Sequence, residues 1–255
     1  MMQQRAWLTV PLLLCAVLLS GQEKAAPAAG LRGDPAAIAE AEAMVATMGG
    51  REIWAKLKSI HFVHEWRIWN RADSYVENEI LDLTVPRSWI EKKSEINYSV
   101  QGFSPEHKIW RVVNDEFSWG GDDEFRMSTA RAPFHFVRLA RAIAIGDPFY
   151  EVRFVEGDFK GSRRLEFRGP DGVPRGWMQL NIRKEPLAWA TTEYRYTFGP
   201  MKRFGNLRVP NWATTGNGAV TYEMRSLTGS HHAPDPSLFV PPREFTKHKE
   251  QEKTE

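Results

Sequence analysis

Cysteine is nearly missing from this 255-residue chain: there is one, Cys15, and it sits in an N-terminal apolar run. A mature chain cut behind that run has no thiol for a disulfide, a nucleophile or a metal thiolate. Its stability must come from its core alone, and roughly 220 residues are enough to build one of good size. An excess of either charge is missing too, with 34 Lys+Arg interspersed among 32 Asp+Glu, so no nucleic-acid partner is expected. Behind the N-terminal run, no stretch stays apolar long enough to cross a bilayer. Catalytic signatures are missing as well. There is no Gly-x-Ser-x-Gly elbow and no glycine-rich phosphate loop, and the helical zinc-protease motif that His64-Glu65 would begin finds Ile68 where its second histidine belongs. No enzyme activity and no cofactor are expected.

The N-terminus, in contrast, is informative. Met1 to Arg5 places a positive charge ahead of the run Ala6 to Leu19, which breaks at Ser20-Gly21-Gln22. Residues 1–21 therefore read as a secretory signal peptide, cut after Gly21 or at Ala26-Pro27-Ala28, and the location is periplasmic or secreted. Leu14, directly before Cys15, is too large for a lipoprotein cleavage site. An Ala/Pro-rich linker, 22–33, follows, then one domain over 34–242. The segment 243–255 is charged, lacks an apolar face and reads as a disordered tail.

Asp34-Pro35 has the form of an N-cap with proline in the first turn, which predicts a helix from Ala36 to Met48, ended by Gly49-Gly50. Arg51 to Lys58 predicts a second short one. From Ser59 the period becomes two: Ile60, Phe62, His64, Trp66 and Ile68 alternate with His61, Val63, Glu65, Arg67 and Trp69 along one long strand. Further strands are predicted at Tyr75–Thr84, Ser88–Lys93, Asn97–Phe103 and Lys108–Val113, joined by turns too short for parallel crossovers. Ser128 to Ile145 interrupts them as one amphipathic helix. Strands then resume at Tyr150–Glu156, Arg163–Arg168, Trp177–Arg183, Leu187–Phe198, Asn206–Thr214 and Ala219–Leu227. The fold class is thus mainly β, antiparallel, with about eleven strands.

Candidate metal ligands are weak. His61 and His64 point to opposite faces of their strand, and His231-His232 with Asp235 offers too few converging groups. Asp122-Asp123-Glu124 lacks the ligand alternation of a calcium loop and reads as a solvated turn. No metal site is expected. Glu193 with Arg195 and Glu223 with Arg225 share strand faces and read as salt bridges on a wet surface. The ten tryptophans stand out instead. Phe62 and Trp66 share one strand face, and Trp110, Trp189 and Tyr194 add further rings. A sheet with few helices covers only part of its apolar face, so the rest is a ligand groove or an interface, with plain core packing against the helices as the competing reading of any one ring.

This order of features resembles the periplasmic lipoprotein-carrier superfamily with the LolA/LolB-like fold. The resemblance rests on Ala41 to Gly50, Trp54 and Leu57 leading into the first long strand, then Leu207-Arg208-Val209-Pro210, Val220 to Met224, and the closing Asp235-Pro236-Ser237-Leu238-Phe239-Val240-Pro241-Pro242. It implies an incompletely closed antiparallel half-barrel, with helices covering its concave face and a lipid, acyl chain or acylated protein bound there without covalent chemistry. The expected groove residues are Phe62, Trp66, Ile68, Trp110, Phe134, Val137, Trp189 and Tyr194, with Arg131, Arg138 and Arg141 at the rim for an anionic headgroup. A monomer is expected, with room for peripheral membrane contact. The alternatives are an envelope interaction module whose aromatic face is covered by a protein partner, and an exported hydrolase using Glu193 or Glu223 with His64.

Overall fold

The computed structural model describes residues 30–157, 163–215 and 217–243. The expected signal peptide, most of the linker and residues 244–255 of the tail lie outside them. Asp34 caps α1 (Pro35–Thr47): its carboxylate accepts from the Ala36 N–H at 2.9 Å, and Pro35 fills the first turn, where an N–H has no helical partner anyway. Gly49 has φ +121°, and a Cβ there would stand 2.5 Å from the Asn206 carbonyl oxygen, so glycine is required to turn the chain into α2 (Arg51–Lys56).

From Ser59 the chain runs as an antiparallel meander, β2 (Ser59–Ile68), β3 (Ser74–Asp82), β4 (Ser88–Lys93), β5 (Tyr98–Ser104), β6 (Lys108–Val113) and β7 (Glu116–Trp119). It then passes through α3 (Asp122–Arg131), a 3-10 turn (Ala132–Phe134) and α4 (Phe136–Ile145). A second meander follows, β8 (Glu151–Glu156), β9 (Arg163–Arg168), β10 (Pro174–Leu180), β11 (Pro186–Thr191) and β12 (Arg195–Phe198). A side hairpin, β13 (Met201–Phe204) with β14 (Leu207–Pro210), precedes β15 (Trp212–Thr215) and β16 (Val220–Ser230). β16 joins the meanders, pairing with β2 from Val220 opposite Ile68 to Ser230 opposite Ser59.

The result is one large antiparallel sheet that does not close into a barrel. Its edges are β7 and β1 (Arg32–Gly33), a two-residue strand parallel to β8. The expected linker 22–33 therefore ends earlier, because Arg32 and Gly33 belong to the sheet. There are more strands than the sequence suggested: β1, β7 and β13 were not expected, and alternation continues straight across two further turns. Leu187–Phe198 is two strands turned at Thr191 to Tyr194, and Asn206–Thr214 leaves the side hairpin and enters the main sheet at Asn211. The single helix expected over Ser128–Ile145 is two, broken where Pro133 cannot continue the ladder, and the acidic turn at Asp122 is the first turn of α3.

α4 lies under α1 and α2 with Val137, Leu139, Ala140 and Ile143 at 0–1 % exposure. This layer buries one end of the inner sheet face, with Ile60, Leu81, Val152, Leu165, Met178 and Leu227 in one continuous core. On the opposite sheet face Asp235 caps a 3-10 turn (Pro236–Phe239), and Trp110 Nε1 donates to the Phe239 carbonyl at 2.9 Å. Among the described residues no helix is long and apolar enough to cross a membrane.

Candidate functional site

Alternation along β2 sends Phe62, His64 and Trp66 to the inner face, and register sets Glu79, Glu77 and Tyr75 of β3 opposite them in that order. The rows continue through Ile90 and Lys92 of β4 to Gln101 of β5, and on the other side through Tyr222 and Met224 of β16. Beyond these, Tyr196 of β12 faces Trp189 of β11. These side chains and the helical residues Ser128, Arg131, His135 and Arg138 wall a cleft of about 550 Å³. Strands as far apart in the sheet as β6, with Arg111, and β11, with Trp189, line the same space, so the sheet curls around it. Two ion pairs brace α3 across the mouth, Arg111 with Glu124 and Arg131 with Glu193.

The cleft has two unlike sides. One is aromatic: Trp189 stacks on Tyr196 at 5.6 Å between ring centroids, Tyr222 lies 4.8 Å from Trp66, and Trp66 stacks on Tyr75 at 6.0 Å. The other, over β3 to β6, carries Glu77, Glu79, Lys92, Gln101 and Arg111. Glu77 is 5 % exposed and well supported. Its Oε1 accepts from Trp66 Nε1 at 3.1 Å and lies 3.5 Å from His64 Nδ1, while Lys92 Nζ is 3.3 Å from its Oε2. Burial pushes the Glu77 carboxyl up, but His64 and Lys92 together outweigh it and hold the group below its ordinary range. At Glu79 burial, and then the neighbouring Glu77 charge, outweigh the pull of Arg138 and Lys92 and push the carboxyl up to about 8.

His135, on the helical roof, is pushed down to about 3 by burial and then by the Arg138 charge, and its Nδ1 has no hydrogen-bond partner. Burial lowers Arg138 to about 10, where it is still a cation at neutral pH. Its guanidinium donates to the carbonyls of Asp82 and Ala132, each at 2.9 Å, and to that of Arg87. Burial also pushes the hydroxyls of Tyr75, Tyr196 and Tyr222 up, so all three stay neutral donors.

Of the expected groove residues, Phe62, Trp66, Trp189 and Tyr194 line this cleft, and Arg131 stands at its rim with its guanidinium 4.7 Å from the Tyr194 ring. The others do not. Ile68 lies past the end of the cleft, in a small hollow with Arg71 and Lys93. Trp110 is on the opposite sheet face, because its neighbour Arg111 takes the inward position. Phe134 and Val137 are fully buried under the helices. Arg138 lines the cleft from deep inside, tied to carbonyls rather than standing at the rim. Arg141 lies outside it, donating to the Leu57 carbonyl at 2.7 Å and the Leu83 carbonyl at 3.3 Å. Of the residues named for a hydrolase, Glu193 pairs with Arg131 at the mouth, Glu223 does not line the cleft, and only His64 stands on its floor.

Sequence reasoning missed Glu77 and Glu79. The available signal was phase: both alternate in step with Tyr75 and Leu81 on a strand next to Phe62 and Trp66, which places them inside.

No protein-family model and no curated protein matches the chain. Solved structures overlap with it only weakly, and two illustrate this. A DUF1329 family protein from Desulfovibrio piger has a TM-score of 0.44 at 8% identity, over 80% of this chain and 96% of that one. The MucA/MucB complex of Pseudomonas aeruginosa has a TM-score of 0.28 at 8% identity, over 82% of this chain and 62% of that one. Overlap at this level supports no argument about function.

Proposed function

We propose that this chain is a non-catalytic binding or carrier protein of the cell envelope, of the lipoprotein-carrier type, which holds an acyl-bearing amphiphile in its cleft. The observation that carries this reading is the two-sided cleft, with an aromatic wall from Trp189 through Tyr222 to Trp66 and a polar wall over β3 to β6. Chain and headgroup each find a matching surface. Burying a dozen methylenes supplies on the order of 10 kcal/mol before ordering costs, so useful affinity needs no covalent step. The N-terminal export signal and the carrier-like order of sequence features support the envelope location.

Native mass spectrometry of protein purified from an envelope fraction, with extraction of whatever is released, tests this. A stoichiometric acylated molecule, and fluorescent fatty-acid uptake that Trp66→Asp abolishes, are the expected results. An empty protein that takes up no fatty acid overturns the reading. The second reading, an envelope interaction module, then gains weight from β7, the sheet's edge strand among the described residues, where Trp119 is 37% exposed.

A further inference from the structure

Three potential ligands stand together on the cleft floor. His64 of β2 faces Glu77 of β3 across the ladder, and Glu79 follows two positions along the same strand face. One donor atom from each lies within 4.8 Å of the others. His64 is 5% exposed, and its Nδ1 lies 3.5 Å from Glu77 Oε1 without an aligned hydrogen bond. A buried imidazole nitrogen left in that state is costly unless something else occupies it. The Glu79 carboxyl is likewise held without a hydrogen bond among the described residues, beside a second carboxylate.

We propose that His64, Glu77 and Glu79 form a three-ligand site for a divalent transition metal of the zinc class, open toward the cleft. Imidazole with two carboxylates suits zinc or manganese, and three protein ligands leave a position for water or a ligand oxygen. Zinc at bond lengths of about 2.0–2.1 Å needs donors about 3.3 Å apart, a closure within reach of two glutamate side chains. Trp66 Nε1 and Lys92 Nζ already contact the Glu77 oxygens, as outer partners of a ligating carboxylate do. Lys92 also opposes a cation, but its side chain is 43% exposed, so solvent screens that repulsion. The open position of the ion would face the polar wall of the cleft. The inference does not depend on the carrier reading.

The test uses full-length mature protein stripped with a chelator and titrated with zinc by calorimetry, alongside cobalt(II) absorption. One ion per chain is expected, with affinity reduced at least about tenfold in both Glu79→Gln and His64→Phe. Phenylalanine keeps the ring that stacks on Phe62. X-ray absorption of the zinc-loaded wild type guards against variants that misfold: one imidazole with oxygen ligands is expected. No binding at about 100 μM zinc, well above the range of built sites, overturns the proposal, as does a shell with two imidazoles or undiminished binding in both folded variants.

Discussion

The Trp189 indole donates to the carbonyl of Phe134 at 3.0 Å, joining the aromatic wall of the cleft to the 3-10 turn that links α3 to α4. Trp189 is 5% exposed, so water does not replace the bond when it is lost. Trp189→Phe keeps most of the ring and removes the donor, leaving a buried carbonyl unsatisfied. The expected loss is about 1–3 kcal/mol by urea denaturation, with the slope of the transition unchanged.

Phe134 and Trp66 look alike in the sequence and differ in the fold. Phe134 is 1% exposed within the core, whereas Trp66 is half-buried on the cleft wall. Phe134→Ala is expected to cost about 3–5 kcal/mol, because the packed site around Tyr150 cannot collapse onto the space left. Trp66→Ala opens onto an existing cleft and should cost only about 1–2 kcal/mol while removing fatty-acid uptake. Equal destabilisation by the two variants would place Trp66 in the core as well.

This contrast shows what the sequence could convey. β4 and β6 were legible to the residue, because alternation and turn chemistry agree there. So was the Asp34 cap of α1. Which rings meet in the cleft was not legible, since this depends on register across strands distant in the chain and on which face α4 covers. Trp110 illustrates the problem: it carries the same apolar signal as Trp189, and only the inward turn of Arg111 reveals that it points away. The polar floor was hidden because Glu77 and Glu79, read locally, look like the wet side of an edge strand. They are brought inside by β16, a strand 140 or so residues later that pairs with β2 and places β3 near the middle of the sheet.

His135 makes stability depend on acidity. Its folded-state value of about 3 lies below the ordinary 6.5, so the unfolded chain takes up a proton that the folded one refuses. The contribution of His135 is therefore fully present above about pH 6.5 and is lost as pH falls toward 3. The slope attributable to one such group is at most about 1.4 kcal/mol per pH unit. His135→Gln should flatten the stability profile relative to the parent in that window and leave it parallel above pH 7 or so. Parallel profiles throughout would mean that the imidazole takes up its proton equally well in the folded and unfolded chain.

Gly102 and Trp110 make the last case, on the sheet face away from the cleft. A Cβ on Gly102 would stand 2.3 Å from the Trp110 indole, and that ring is held by the Phe239 carbonyl at 2.9 Å. Gly102→Ala must therefore push the indole off its acceptor or bend β5. The expected cost is about 1–3 kcal/mol, with the docked turn Pro236–Phe239 loosened first. Hydrogen exchange should rise at the Val240 amide, which bonds to the Ser237 carbonyl, before it rises in β2 or β16. Because β5 presents Gln101 and Phe103 to the cleft and Gly102 to the other side, fatty-acid uptake should be unchanged. Loss of uptake at unchanged stability would reverse the facing assigned to β5 and return Trp110 to the groove.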